Sequence, residues 1–291
     1  MNIPAFVWVI VLPLAASPVA YFAGRLSRRP ALARWLCVLA LAAAWGPFIQ
    51  ASAAFGRPGA ELYRLGGITL QWDGLAQLMA ALVLGLAALV AIFSTADVAG
   101  EAGEEKYFAL LLCMVGVLIG LACAADLFNL WIWFEALAVS TYFLVAFHRE
   151  PPASLEAAVK YLVQSAAGTS LVLLGIALVL MQTGTLDLRA IASGGGAAPA
   201  LLAAGALFVV GFGVKAALVP LHSWLPDAHA QAPSGVSAAL SGVVIAAGLV
   251  ALLRSVAPLI ARSHLGVDAG LLFMSLGAIN MLYGNLLALR Q

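Results

Sequence analysis

The chain has 291 residues, of which 64% are hydrophobic and 9% charged, with a mean hydropathy of +1.05. A soluble domain is about 45–50% apolar and about 25% charged, so this composition excludes a soluble enzyme and a disordered chain. The formal net charge of +1 offers no basic footprint for phosphate backbones and excludes a nucleic-acid binder.

A helix that crosses a bilayer needs about 20 mostly apolar residues. Runs of this kind fall at 4–24, 31–54, 73–95, 107–125, 127–147, 155–182, 199–221, 234–257 and 268–289. They predict an all-α polytopic membrane protein with about nine transmembrane helices, since helices satisfy their own backbone polar groups in lipid. None of the runs has the polar alternation of a barrel strand. The first run does not read as a cleavable signal, because its apolar stretch is long and basic residues follow rather than precede it.

Lys/Arg bias sets the expected orientation. Arg25, Arg28, Arg29 and Arg34 crowd the loop after the first run, which places that loop in the cytoplasm and the N-terminus outside. Inner loops and the tail then also hold Lys106, Arg149 and Arg290. Outer loops hold Arg57, Arg64, Arg189, Arg254 and Arg262. The outer loop 55–72 carries Gly66-Gly67 between short apolar stretches and predicts a small hairpin. The segment 184–198, with Gly194-Gly195-Gly196, reads as a flexible outer connection. Cys37, Cys113 and Cys123 sit inside apolar runs with no CxxC spacing, so neither a disulfide framework nor a metal site is expected.

Ionisable residues inside the runs carry the most information. Glu135, the ninth residue of the fifth run, lies near the expected midplane among Trp131, Trp133 and Phe134. Lys215 lies in the second half of the seventh run. Lys160 lies about a turn and a half into the sixth. Left unpaired, three such charges would cost on the order of 9 kcal/mol, and residues of this kind normally face a protein interior or a wet cavity and mark ion paths. Glu135 fits a proton-relay carboxylate; the alternative is a polar tie between helices. Pro220, five residues after Lys215, predicts a kink or break beside it, since proline removes a donor and clashes with the carbonyl of Ala216. Broken helices beside a buried charge recur where ions are bound and moved. Lys215 therefore fits a proton carrier, with snorkelling to the inner interface as the alternative. For Lys160, snorkelling competes with a second acid–base station.

His222 lies seven residues after Lys215, on the same face if the helix continues, and imidazole titrates near neutrality. Interfacial loop packing is the alternative for His222, and the more economical reading for His229. Gln164, Ser165, Thr169 and Ser170 either line a water path or tie helices together. Gly116 and Gly120 form a GxxxG pair suited to close helix packing. Asp126 and Asp73 sit where they cap the fifth and third helices.

Several stretches resemble the antiporter-like subunits of respiratory complex I and of the related multi-subunit cation/proton antiporters and membrane-bound hydrogenases. The longest is GFGVKAALVPLHSWLPDAHAQAPSGVSAALS (211–241), similar to the family's broken seventh helix, inner loop and start of the eighth. ADLFNLWIWFEALAVSTYFLVAF (125–147) resembles the fifth helix with its buried glutamate, and AAVKYLVQSAAGTS (157–170) the sixth with its lysine. QWDGLAQLM (71–79) and NMLYGNLLALRQ (280–291) are weaker matches. The resemblance implies one antiporter-like repeat with a broken helix 7. Residues 1–106 would form an N-terminal three-helix segment with outer loop 55–72. Residues 107–257 would form the repeat, helices 4–8, and 258–291 the start of an incomplete second repeat.

The resemblance further implies that Glu135 pairs with a proton-carrying Lys215, that Lys160 modulates the pair, and that His222 lies at the inner mouth of the path. Ala246 stands where the family often has a lysine. The implied function is a proton-translocating membrane subunit of a complex I-like NADH/quinone oxidoreductase, giving a proton half-channel. Its rivals are a subunit of a cation/proton antiporter or hydrogenase, and a non-conducting structural subunit. No flavin, iron–sulfur, quinone or nucleotide motif is visible, so redox chemistry is expected in partner subunits, and no cofactor in this chain. The expected partners are other membrane subunits, the lipid bilayer and protons, with sodium as the alternative coupling ion. The expected location is a prokaryotic plasma membrane.

Overall fold

A computed structural model of the chain describes residues 3–27, 29–56, 61–148, 152–196, 199–263 and 269–289. Arg28, Arg57, Arg149 and Arg290, used above for orientation, lie outside the described residues. In chain order the elements are α1 (Ala5–Leu26), α2 (Ala31–Ala53), β1 (Leu62–Leu65), β2 (Ile68–Gln71), α3 (Gly74–Asp97), α4 (Glu104–Cys123), α5 (Leu127–Val145), α6 (Pro152–Thr183) and α7 (Leu188–Ser193). They continue with α8 (Pro199–Lys215), α9 (Trp224–Gln231) and α10 (Ser234–Ala239). A π-helical turn (Leu240–Val244) joins α10 to α11 (Ile245–Ser263), and α12 (Ala269–Ala288) follows.

Among the described residues, 8 helical stretches are long and apolar enough to cross a membrane, and α8 is a further, shorter apolar helix. The chain is an all-α polytopic integral membrane protein. Large apolar side chains such as Trp35, Leu39, Leu89, Phe93, Val163 and Met181 face outward. In water such a surface would be a liability; in lipid it is the expected exterior. Two helix ends differ from the sequence reading. The seventh run stops being helical at Lys215, well before residue 221. The eighth continues to Ser263, which puts Arg254 and Arg262 inside a helix rather than in an outer loop.

α4 is the axis of the N-terminal half, with nearly every residue buried. Its two glycines serve different neighbours. A Cβ at Gly116 would meet Leu14 and the Ile10 carbonyl of α1, and one at Gly120 would meet the Trp133 ring of α5. The GxxxG spacing thus seats two helices against α4, not one. The partner contact in the second half is α6 on α8. These helices cross where Gly168 and Gly211 face each other, each so close that a Cβ would meet the other's carbonyl oxygen, at 2.9 and 2.6 Å.

The two ends of the bundle are built differently. At one end the predicted hairpin forms, with Leu65 opposite Ile68. Gly66 takes φ +59°, a positive φ at the first of two loop positions that suits a II′ turn. This end is stitched together by backbone bonds: Ala125 N–H to Thr69 O, Leu127 N–H to Leu186 O, and Leu188 N–H to Ala125 O, each 3.0 Å. Asp126 accepts from Asn129 N–H at 2.7 Å and Thr69 N–H at 3.1 Å. Burial raises its carboxyl pKa, opposed by those two bonds. Asp73 caps α3 through Ala76 N–H at 2.8 Å and pairs with Arg254 at 2.8 Å. The segment expected to be a flexible connection carries α7, capped by Asp187. At the opposite end, Arg34 pairs with the buried Glu104 at 2.6 Å, and Arg25 lies 3.8 Å from Glu105.

The crossing of α6 and α8 gives a direct test. Gly211→Ala should lower the thermal unfolding temperature of the detergent-solubilised protein, by an overpacking penalty of about 1–3 kcal/mol. Gly85→Ala in α3, where a Cβ meets nothing within 4 Å, should instead stabilise by roughly 0.5–1 kcal/mol.

Candidate functional site: a buried lysine at the end of a broken helix

α8 has 17 residues, about 26 Å of helix at 1.5 Å per residue, short of a hydrocarbon core about 30 Å thick. It ends in a Schellman cap. Leu218 N–H bonds Gly213 O at 2.9 Å, and Ala217 N–H bonds Val214 O at 3.2 Å. Ala217 takes the left-handed position, with φ 51°. Glycine usually fills this position, because a Cβ there costs roughly 1–2 kcal/mol. Pro220 therefore lies in the turn beyond a helix that has already stopped.

Residues from four directions hold the turn. The Trp224 indole donates to Val214 O at 2.7 Å, a second bond to the carbonyl that already accepts from Ala217 N–H in the cap. Gln164 of α6 donates to Leu221 O at 2.7 Å and accepts from the Ser223 hydroxyl at 3.0 Å. Asn280 of α12 accepts from Val219 N–H at 3.0 Å. On α11, a Cβ at Gly248 would meet Ala216 N at 2.6 Å, so only glycine lets that helix approach the break.

Lys215 is the last residue of α8 and is 1% exposed. Its ammonium donates to Thr141 Oγ1 of α5 at 3.0 Å and to the Tyr161 hydroxyl of α6. It also lies 4.7 Å from the centre of the Tyr161 ring, within cation–π range. Thr141 and Tyr161 hydroxyls bond each other at 2.8 Å, and Thr141 donates on to Leu137 O at 2.7 Å. Trp224 stacks on Tyr161, its ring 4.1 Å from that of the tyrosine. The helix C-terminus itself favours a cation at this position.

Glu135 sits on α5, half-buried. It accepts a 2.5 Å hydrogen bond from Thr169 of α6, and Thr169 in turn accepts from the Trp131 indole at 2.9 Å. Among the described residues no ion pair joins Glu135 to Lys215. The acid and base expected from the resemblance to pair directly are thus each held by hydroxyls instead.

Lys160 lies elsewhere. It is exposed and bridges Glu156 at 2.8 Å and Asp227 at 2.9 Å. Because α8 stops at Lys215, His222 does not share a helical face with it. The His222 ring packs edge-on against Tyr283 of α12. His229 hydrogen-bonds Ser237 at 2.6 Å, and burial holds its imidazole below the usual range. Sequence reasoning missed Thr141, Tyr161, Trp224, Gly248 and Asn280. Only Tyr161, one residue from Lys160, and Trp224, nine residues after Lys215, carried even a compositional hint.

The family model described as NADH:quinone oxidoreductase/Mrp antiporter, TM, matches residues 124–291. The chain belongs to that family. Over 212 residues it is 36% identical to NADH-quinone oxidoreductase subunit N of Desulfitobacterium hafniense, covering 71% of this chain and 42% of that protein. A chain of the membrane-bound sulfane sulfur reductase, an archaeal respiratory membrane complex, superposes with a TM-score of 0.74 at 27% identity, covering 86% of this chain and 52% of the other. A chain of respiratory complex I from Thermus thermophilus superposes with a TM-score of 0.67 at 28% identity, covering 83% and 52%. The chain thus spans about half the length of the relatives it matches.

The cap makes opposite predictions for its two unusual residues. Ala217→Gly should stabilise the protein by about 1 kcal/mol, since it removes the left-handed Cβ. Trp224→Phe should destabilise by roughly 0.5–1.5 kcal/mol through the lost bond to Val214 O. Thermal unfolding in detergent reads both.

Proposed function

We propose that this chain is a proton-translocating membrane subunit of a complex I-like NADH/quinone oxidoreductase. In this reading Glu135 and Lys215 are the two proton stations of a half-channel. Lys160, with Glu156 and Asp227, forms an acid–base cluster at the arginine-bearing end, and His222 lies in the turn between that end and Lys215. Helices α4 to α11 form the antiporter-like unit. The end carrying Arg25 and Arg34 faces the cytoplasm, with the N-terminus outside. Other membrane subunits complete the complex, and electron transfer takes place in them.

One observation carries the reading. Lys215 is enclosed among helices with hydroxyls and a ring face as its immediate partners. A buried lysine fixed for structure alone would be expected to sit against a carboxylate, because breaking or omitting the partner of a buried charge is strongly unfavourable. Hydroxyls can donate as well as accept, so they accommodate both an ammonium and an amine. The carboxylate that could take up or supply the difference is Glu135, at a second hydroxyl. When Glu135 ionises, its charge favours the ammonium of Lys215; when it is neutral, that support is gone. A proton arriving at one station therefore changes the affinity of the other.

The relatives' names favour the redox-linked assignment over a sodium/proton antiporter. Glu135→Gln and Lys215→Ala in the assembled complex should each reduce NADH-driven proton uptake by inverted membrane vesicles about 100-fold, with the chain present at wild-type amounts. Normal uptake in both variants would make this a scaffold. Uptake driven by a sodium gradient without an electron donor would instead assign the chain to an antiporter.

A further inference from the structure

α6 presents three hydroxyls at four-residue spacing on its buried face: Tyr161, Ser165 and Thr169. Tyr161 bonds Lys215, and Thr169 bonds Glu135. The middle residue, Ser165, is 5% exposed, and its hydroxyl has no hydrogen-bond partner among the described residues. A mid-helix serine ordinarily satisfies itself by bonding back to a carbonyl three or four residues earlier. Ser170 on the same helix does so with Ala166 O at 2.8 Å, and Ser140, Ser241, Ser255 and Ser275 do the same on theirs. Ser165 departs from this habit at the one place on α6 that lies between the two stations.

We propose that α6 supplies the link between them, with Ser165 as its central relay. This rests on the proposed proton-transfer role of Glu135 and Lys215. Each four-residue step rises about 6 Å, twice the reach of a hydrogen bond. The relay calls for one water between Tyr161 and Ser165 and one between Ser165 and Thr169, each with a hydroxyl on either side as its two polar partners. In one transfer Thr169 takes the proton of the Glu135 carboxylic acid as it passes its own hydroxyl proton to the first water. That water passes one on to Ser165, Ser165 to the second water, and the second water to Tyr161. The Tyr161 hydroxyl passes its proton to the Lys215 amine. Glu135 ends as a carboxylate and Lys215 as an ammonium, every intermediate hydroxyl and water is neutral again, and rotation of the hydroxyls resets the row.

The position of the row explains why the acid and base need not touch. It also sets α6 apart from a structural partner. Its polar side chains on this face come from the same row that packs on α8 through Gly168 and Gly211, so the crossing fixes the spacing between the hydroxyls and the end of α8.

The test uses the assembled complex in inverted vesicles, with NADH-driven proton uptake and electron transfer measured together. Ser165→Ala should lower uptake about tenfold at unchanged chain content. Ser165→Thr, which restores the hydroxyl, should recover most of the uptake. Glu135→Gln is measured alongside. If it abolishes uptake and Ser165→Ala does not lower it, the relay is overturned while the two-station reading stands. If Glu135→Gln leaves uptake intact, both fall. Failure of Ser165→Thr to recover what Ser165→Ala loses would make the residue a packing element and overturn the relay.

Discussion

A lysine ammonium enclosed by apolar helices must have acceptors close by, and the second half of this protein is arranged around supplying them. α5 gives Thr141, α6 gives Tyr161, and α8 ends so that its negative pole lies beside the charge. Each contribution constrains a helix. Tyr161 reaches Lys215 because α6 and α8 approach at Gly168 and Gly211, two turns and one turn away respectively. Trp224 stacks against the Tyr161 ring. Moving any one of these helices by the width of a side chain would leave the ammonium without partners, at a cost that the marginal stability of a fold could not absorb.

The break in α8 is held from outside rather than by its own sequence. Its cap uses alanine where glycine would be easier, so the local preference is weak. What fixes the turn are the long-range bonds from Trp224, Gln164 and Asn280, together with the close approach of Gly248. A turn defined by neighbouring helices responds when those helices shift. α11 enters through a π-helical turn, a local defect that often accompanies function, and α12 touches the break through Asn280 and the His222 ring through Tyr283. The site is therefore mechanically joined to the helices that follow it in the chain.

What could be read in the sequence was what depends on composition and on single residues. Apolar runs located the spans to within a few residues, Asp73 and Asp126 were recognisable as caps, and Gly66-Gly67 as a hairpin turn. Glu135 and Lys215 stood out because charge is rare in such runs. Partnerships could not be read. Tyr161 and Thr141 are ordinary residues in membrane helices, and only the α6–α8 crossing makes them partners of Lys215. The expected match of Glu135 with Lys215 followed from the resemblance, which carries no information on the hydroxyls that hold each of them here. The same limit applied to His222, whose spacing from Lys215 had meaning only along a continuous helix. Arg254, counted among the loop residues, lies in α11 and pairs with Asp73 at 2.8 Å.

The contrast between the two ends follows the same physics. At the hairpin end, buried charge is matched with charge or with backbone N–H groups, as for Asp73 with Arg254 and Asp126 with Thr69 and Asn129. Such groups stabilise one protonation state and one geometry. In the middle of the second half, the lysine and the glutamate are each given a hydroxyl, which stays neutral and can reverse its direction of donation. The fold therefore separates an end tied by fixed charge pairs and backbone bonds from a middle in which Lys215 and Glu135 are held by hydroxyls.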